Sequence, residues 1–328
     1  MTRLFSLPFA LLVLCAFCPL TAVVADEEAG TFTDLNSAGP DYSVQGEYQG
    51  TLSVDGQEFK YALQVIALGD HKFDAVGYMG GLPGEGWTGE EKVRASGQTA
   101  NGVTTVVSDH GSATISGGKA TLKLDNGTEI GTLNRIERKS PTLGAKPPAG
   151  ATVLFDGKSA DQFERGRIVM DDLLAADCES HEKLGDHRMH IEFRTPFKPA
   201  ARGQARGNSG VYLQGRYECQ VLDSFGLEGE NNECGGIYSI AKPDVNACFP
   251  PLTWQTYDVE FTAARWQDGK KVSNARVTIR QNGILIHDDI ELPHGTPGKF
   301  PEEEGPAALY LQGHGNPVVY RNIWFTAK

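Results

Sequence analysis

Val44, Gly46, Tyr48, Gly50, Leu52 and Val54 keep one parity, Asp55-Gly56 reverses the chain, and Phe59, Tyr61, Leu63 and Val65 resume the alternation. A period of two sends successive side chains to opposite faces, and a Gly-containing two-residue turn supplies the positive φ that a tight hairpin needs. The device recurs. Ala120, Leu122 and Leu124 run into Asp125-Asn126-Gly127 and resume through Ile130 and Leu133, and the run from Ala275 to His287 reverses at Asn282-Gly283. No helical period of any length intervenes, and 39 glycines with 17 prolines serve turns better than helix interiors. An all-β protein is predicted.

The 328 residues suffice for two domains with cores of their own. Residues 26–40 are small and polar and read as a loose leader, and 41–138 form a small β domain. Residues 139–150, with Pro141, Pro147 and Pro148, have linker composition. Residues 151–328 form a second β domain, a sandwich or jelly roll. Its strands are expected at 187–194, 209–214, 216–222, 256–262, 275–287, 308–312 and 318–325. The Gly-rich loop from Gly77 to Trp87 precedes no helical pattern, so it is expected to be flexible or to contact a partner rather than to cradle phosphate.

Residues 1–25 have the grammar of a secretory signal: Arg3, an apolar stretch from Leu4 to Leu20, and Val23-Val24-Ala25 before Asp26. Cleavage without membrane insertion leaves 29 basic against 42 acidic residues, or −13, which argues against nucleic acid and anionic membrane as partners. The exported chain keeps Cys178, Cys219, Cys234 and Cys248. An even count outside the cytoplasm suggests two disulfides, and a Cys234–Cys248 bridge closing a short loop would contribute about 3 kcal/mol. No Cys-x-x-Cys remains to suggest zinc.

Alternation also sorts the polar side chains. Arg188, His190, Glu192 and Arg194 oppose Met189, Ile191 and Phe193, while Glu218 and Gln220 oppose Tyr217, Cys219 and Val221. Tyr310, Gln312 and His314 share a face, as do Arg321, Ile323 and Phe325. If the polar faces coincide, they line a groove that also holds Asn208, Tyr212 and Gln214, suited to a carbohydrate. Amides, guanidinium and phenols hydrogen-bond vicinal hydroxyls, and aromatic rings cover the apolar face of a sugar. The acidic residues between Asp223 and Glu233 match no standard calcium loop, although a divalent metal stays open as a cofactor.

The runs Gly207-Asn208-Ser209-Gly210-Val211-Tyr212, Tyr217-Glu218-Cys219-Gln220-Val221-Leu222-Asp223, Gly235-Gly236-Ile237-Tyr238, Trp254-Gln255-Thr256-Tyr257-Asp258, Leu311-Gln312-Gly313-His314-Gly315 and Arg321-Asn322-Ile323 stand in a characteristic order. From 152 to 328 the chain resembles the 3-keto-disaccharide hydrolase family, also described as 3-keto-α-glucoside 1,2-lyase/3-keto-2-hydroxy-glucal hydratase. The resemblance implies a concanavalin A-like, laminin G-like jelly roll and export to the periplasm or cell envelope. Two departures stand out: Cys219 replaces an aliphatic residue, and Gly313 stands where the family has Asp.

The implied reaction needs a base for the acidic C2 hydrogen of a 3-keto-glucosyl unit, donors for the enolate oxygen and an acid for the leaving group. The expected base is Glu218 or His190, with Arg321 and Gln220 on the enolate and His314 on the leaving group. Asn208, Tyr212, Gln214, Glu192 and Gln312 are the expected substrate contacts. Two alternatives compete: a glycan-binding module without catalysis, and a laminarinase-like hydrolase using Glu218 and Asp223. In the second, Gln220 replaces the middle acid and Asp223 is the shorter acid.

Overall fold

The computed structural model describes residues 30–328, so the signal-like residues 1–25 with Cys15 and Cys18 lie outside the described residues. Eight antiparallel strands, from Gly46–Val54 through Glu129–Ile136, form a closed barrel in which Glu47 pairs with Ile136. Asp55 and Gly56 take φ of 51° and 81°, and Asn282 and Gly283 take 53° and 81°, the all-positive geometry of a two-residue hairpin turn. Tyr48, Leu63, Val65, Phe73, Val106, Ile115 and Leu133 fill the barrel. Closure leaves the small domain without an unpaired sheet edge.

The second domain is a β-sandwich of jelly-roll type. One sheet runs in the order Phe163–Glu164, Cys178–Leu184, Ala307–Leu311, Ser209–Leu213, Tyr217–Val221. The other runs Ile168–Val169, Leu173–Ala175, Val319–Ala327, His187–Arg194, Gln255–Thr262, Ala275–Gln281, Ile284–Leu292, with Thr152–Phe155 paired to Val319–Ala327. Val211, Leu213, Cys219, Val221, Leu309 and Leu311 meet Met189, Ile191, Phe193, Val259, Phe261, Ile279 and Ile323 in a shared core. The side chains of opposite parity therefore face outward, on two different outer faces.

Three segments depart from their sequence reading because they are held by specific contacts. Phe32 exchanges two 2.9 Å backbone hydrogen bonds with Phe197, and Gly39–Val44 is helical, so residues 30–40 of the expected loose leader are ordered on the sandwich. The Gly77–Trp87 loop buries Leu82 and sets Trp87 edge-on to Tyr78, while Gly84 abuts Ile284 of the sandwich. The linker-like residues after 139 lie along the outer face of the larger sheet: Ser140 Oγ is 2.7 Å from Thr256 Oγ1, Thr142 Oγ1 donates to Asp258 at 2.6 Å, and Gly144 N–H donates to Glu192 at 2.6 Å. Arg202 and Arg206 donate to the carbonyls of Leu68 and Ala67 at 2.9 and 3.2 Å, joining the sandwich to the barrel.

Candidate active site

The hairpin Ser209–Leu213/Tyr217–Val221 places Gly210 opposite Gln220 and Tyr212 opposite Glu218, and Tyr212 also pairs with Tyr310 on the next strand. Since Val211, Leu213, Cys219 and Val221 point into the core, this second set faces outward from the smaller sheet. Glu218 is 3% exposed, and burial pushes its carboxyl up to about 7 against a hydrogen bond from Tyr212 that lowers it. The carboxyl occupies space left by a missing side chain. A Cβ on Gly210 would lie 2.4 Å from Glu218 Oε1. Burial and the adjacent Glu218 raise the Tyr212 phenol, keeping it neutral and able to donate.

Amides surround the carboxyl. Gln204 Oε1 accepts from Asn208 Nδ2 at 2.7 Å and from Gln220 Nε2 at 3.1 Å, and Gln312 Nε2 donates to Tyr212 Oη at 3.1 Å. Asn208 Oδ1 and Gln312 Oε1 are buried without a partner, so two acceptors are left for donors from outside the chain. His314 is exposed on the turn two residues past Gln312. The loop after Leu292 closes one side: Thr296 Oγ1 accepts the Glu218 N–H at 3.0 Å, Pro297 O accepts from Tyr212 at 3.1 Å, and Lys299 pairs with Glu179 while its Nζ lies 5.1 Å over the Tyr310 ring. Gln204, Thr296 and Lys299 were not anticipated, because they sit on irregular segments where no period assigns a face.

The predicted residues do not form one cluster. Glu218, Tyr212, Gln220, Asn208 and Gln312 belong to this face, and His314 follows on the exposed segment beyond Leu311, but His190, Glu192 and Arg321 lie on the outer face of the opposite sheet. There Glu192 accepts from Arg321 Nε at 2.7 Å, Asn322 Nδ2 at 2.9 Å and Gly144 N–H, and His190 bonds Asp258 at 2.6 Å and stacks on Trp324 at 5.3 Å. The expectation that His190 serves as base, Arg321 as enolate partner and Glu192 as substrate contact in the same groove is therefore corrected: the core of the sandwich separates them from Glu218. Gln214 is corrected as well. With φ of 56° it forms the hairpin turn, donating to Leu184 O at 2.8 Å and accepting from Arg216 at 3.2 Å.

The expected disulfides are absent: Cys178, Cys219, Cys234 and Cys248 are buried free thiols. Cys178 and Cys219 fill core positions, Cys234 Sγ lies 3.3 Å from Tyr257 Oη, and the Cys248 thiol donates to backbone carbonyls at 3.4 and 3.6 Å, so each is accommodated as a small apolar residue. Asp223, the second carboxylate of the glucanase alternative, is 2% exposed and bound to Arg206 Nε at 2.7 Å. That alternative loses its partner acid. Gly313 also has a local reason: a Cβ there would lie 2.5 Å from that of Asp177. Among the described residues no group of three or more His, Cys, Asp or Glu could hold a metal ion.

The 3-keto-alpha-glucoside-1,2-lyase-like domain family matches residues 150–326. A solved structure of a candidate glycosyl hydrolase from Parabacteroides distasonis ATCC 8503 is similar to this chain with a TM-score of 0.51 and 32% identity, over 55% of this chain and 85% of that one. A second candidate glycosyl hydrolase from the same organism is 18% identical, with a TM-score of 0.41 over 55% of this chain and 94% of that one. Comparison with curated proteins gives no match.

Proposed function

The chain belongs to the 3-keto-alpha-glucoside-1,2-lyase-like domain family, and from that premise we propose that its groove cleaves 3-keto-glycosides by β-elimination followed by hydration. The observation that carries the reading is a buried carboxyl near neutrality, Glu218, set among amide and phenol donors. A ketone at C3 acidifies the C2 hydrogen. Glu218 takes that proton, the electron pair forms the C1–C2 double bond, and the C1–O bond to the aglycone breaks with protonation by His314. Water then adds at C1 while the Glu218 proton returns to C2, so the net change is hydrolysis.

Negative charge gathers on the C3 oxygen in the elimination. Gln220 Nε2 and Gln312 Nε2, each with a second N–H beyond the one already bonded, are the donors suited to it, now that Arg321 belongs elsewhere. Asn208 Oδ1 and Gln312 Oε1 would accept from sugar hydroxyls, replacing their missing partners.

Incubating the full chain with 3-keto-trehalose or 3-keto-sucrose, with and without chelator, should release the aglycone through a transient 2-hydroxy-glucal. Binding of unoxidised glycan with no turnover of either keto-sugar would overturn the lyase reading in favour of a glycan-binding module. Export belongs to the same proposal and rests on residues 1–25 alone. N-terminal sequencing of the protein recovered from its producing cell should begin at Asp26, and a chain that keeps Arg3 would refute it.

A further inference from the structure

Two backbone groups fix the orientation of three side-chain amides in the groove. The Asn232 carbonyl can only accept, so the Gln204 atom 2.8 Å from it is Nε2, and Gln204 Oε1 faces the other way. Asn208 and Gln220 must then each turn an N–H toward that oxygen, at 2.7 and 3.1 Å. The Val221 N–H can only donate, so Gln220 offers it Oε1 at 3.1 Å, which leaves Nε2 for Gln204. Both ends of the chain of bonds require the same arrangement.

That arrangement decides what is left free. Asn208 Oδ1 is buried without a partner, and Gln220 keeps one N–H beyond the one that Gln204 accepts. The groove thereby presents one acceptor and one donor at fixed places. Among the described residues the Asn208 amide makes no bond other than the one to Gln204, so without that oxygen it is free to turn over and present N–H where Oδ1 now stands. Gln204 acts through its two neighbours.

The barrel in turn places Gln204. The residue sits in the single 3₁₀ turn Gly203–Ala205, between Arg202 and Arg206. Arg202 donates to Leu68 O at 2.9 Å and Arg206 to Ala67 O at 3.2 Å, both near the end of the barrel strand Gln57–Gly69. Gly69, with φ of 81°, lets Ala200 approach so closely that a Cβ on Gly69 would lie 3.3 Å from the Ala200 Cα. The segment that carries Gln204 is therefore clamped to the barrel on both sides of it.

We propose that Gln204 is a positioning residue of the groove and that the barrel serves the reaction by holding it. The amide geometry can be tested without any assumption about the chemistry, whereas the kinetic effect rests on the lyase reading. In the full chain, Gln204→Leu should shift the side-chain NH2 resonances of Asn208 and Gln220 and leave that of Asn282, bonded to Ala247 O at a hairpin turn of the larger sheet, in place. With 3-keto-trehalose it should lower kcat/KM about 5–100-fold, the scale of a buried amide left unpaired. KM should rise as well, because Asn208 loses its fixed acceptor, whereas partial unfolding would lower kcat alone. Arg202→Ala, which removes one clamp and keeps Gln204, should move the same resonances and lower kcat/KM about two- to tenfold, the worth of one hydrogen bond.

Unmoved Asn208 and Gln220 resonances in Gln204→Leu would overturn the positioning, and unmoved ones in Arg202→Ala would remove the barrel from it. Shifted resonances with kcat and KM both unchanged would overturn the link to the reaction. Should Gln204→Leu fail to fold, Gln204→Met, which keeps the length of the side chain and lacks the oxygen, takes its place. If the unaltered protein turns over neither keto-sugar, the lyase reading falls and takes the kinetic effect with it, while the resonances still decide whether Gln204 orients the two amides.

Discussion

Glu218→Gln should lower kcat on a 3-keto-glycoside by about 10²–10⁴-fold, the usual contribution of a positioned general base. Gln keeps the shape that Gly210 accommodates, so loss of folding should not confound the result. The unaltered protein should gain activity as pH rises through about 7, where Glu218 ionises, because the base works as the carboxylate. Stability should move the other way. A carboxyl with a folded pKa of about 7 and an ordinary value of 4.5 adds nothing below pH 4.5. It costs progressively more up to pH 7 as the unfolded chain ionises first. At about 1.4 kcal/mol per pKa unit the cost at pH 8 is at most about 3–4 kcal/mol, so Glu218→Gln should melt higher than the parent at pH 8 and equally at pH 4. A variant that keeps full activity, or a parent whose rate does not change between pH 5 and 8, would remove Glu218 from the reaction.

The separation of Glu218 and Gln220 from Cys219 and Val221 follows from strand parity alone, because a period of two is a local property of the backbone. Parity says which side of its own sheet a residue faces. It does not say which sheet. The strand His187–Arg194 pairs with Gln255–Thr262 and Val319–Ala327, not with the hairpin Ser209–Val221, and nothing within any of these strands encodes that choice. A sandwich has two outer faces, so His190 and Arg321 were legible as outward-facing and illegible as remote from Glu218.

The cover over His190 and Glu192 was hidden for a different reason. Residues 139–150 have the prolines and small side chains of a spacer, yet the Ser140 and Thr142 hydroxyls, the Gly144 N–H and the Ala145 carbonyl each find a partner on the larger sheet. Composition reports what a segment cannot pair with as a strand. It is silent on single hydrogen bonds to a surface that the fold supplies later. Gln204 and Lys299 belong to the same class, since both reach the groove from loops.

Glu192→Ala should test the corrected placement with a second large effect, of another kind. Burial alone would raise the Glu192 carboxyl, but hydrogen bonds from His190, Asn322, the Gly144 N–H and Arg321 outweigh it and bring the carboxyl down to about 2. Its side chain is 1% exposed. Removing it takes the shared carboxylate from Arg321 and His190; His190 keeps Asp258 and the Arg321 side chain is 35% exposed, so the loss should fall below the ~3–5 kcal/mol of a fully buried pair. The parent should therefore keep this stabilisation above pH 4.5 and lose it progressively as pH falls toward 2, whereas Glu192→Ala should lack that part of the pH dependence and keep only what carboxylates such as Asp186 and Glu260 contribute. Denaturant titrations at pH 3 and pH 7 read both statements. Below its lowered melting temperature the variant should turn over 3-keto-glycoside with kcat within a few-fold of the parent, because the residue anchors the 139–150 segment and does not reach the groove. A kcat loss matching that of Glu218→Gln, with stability unchanged, would return Glu192 to the site and show that the two outer faces act together.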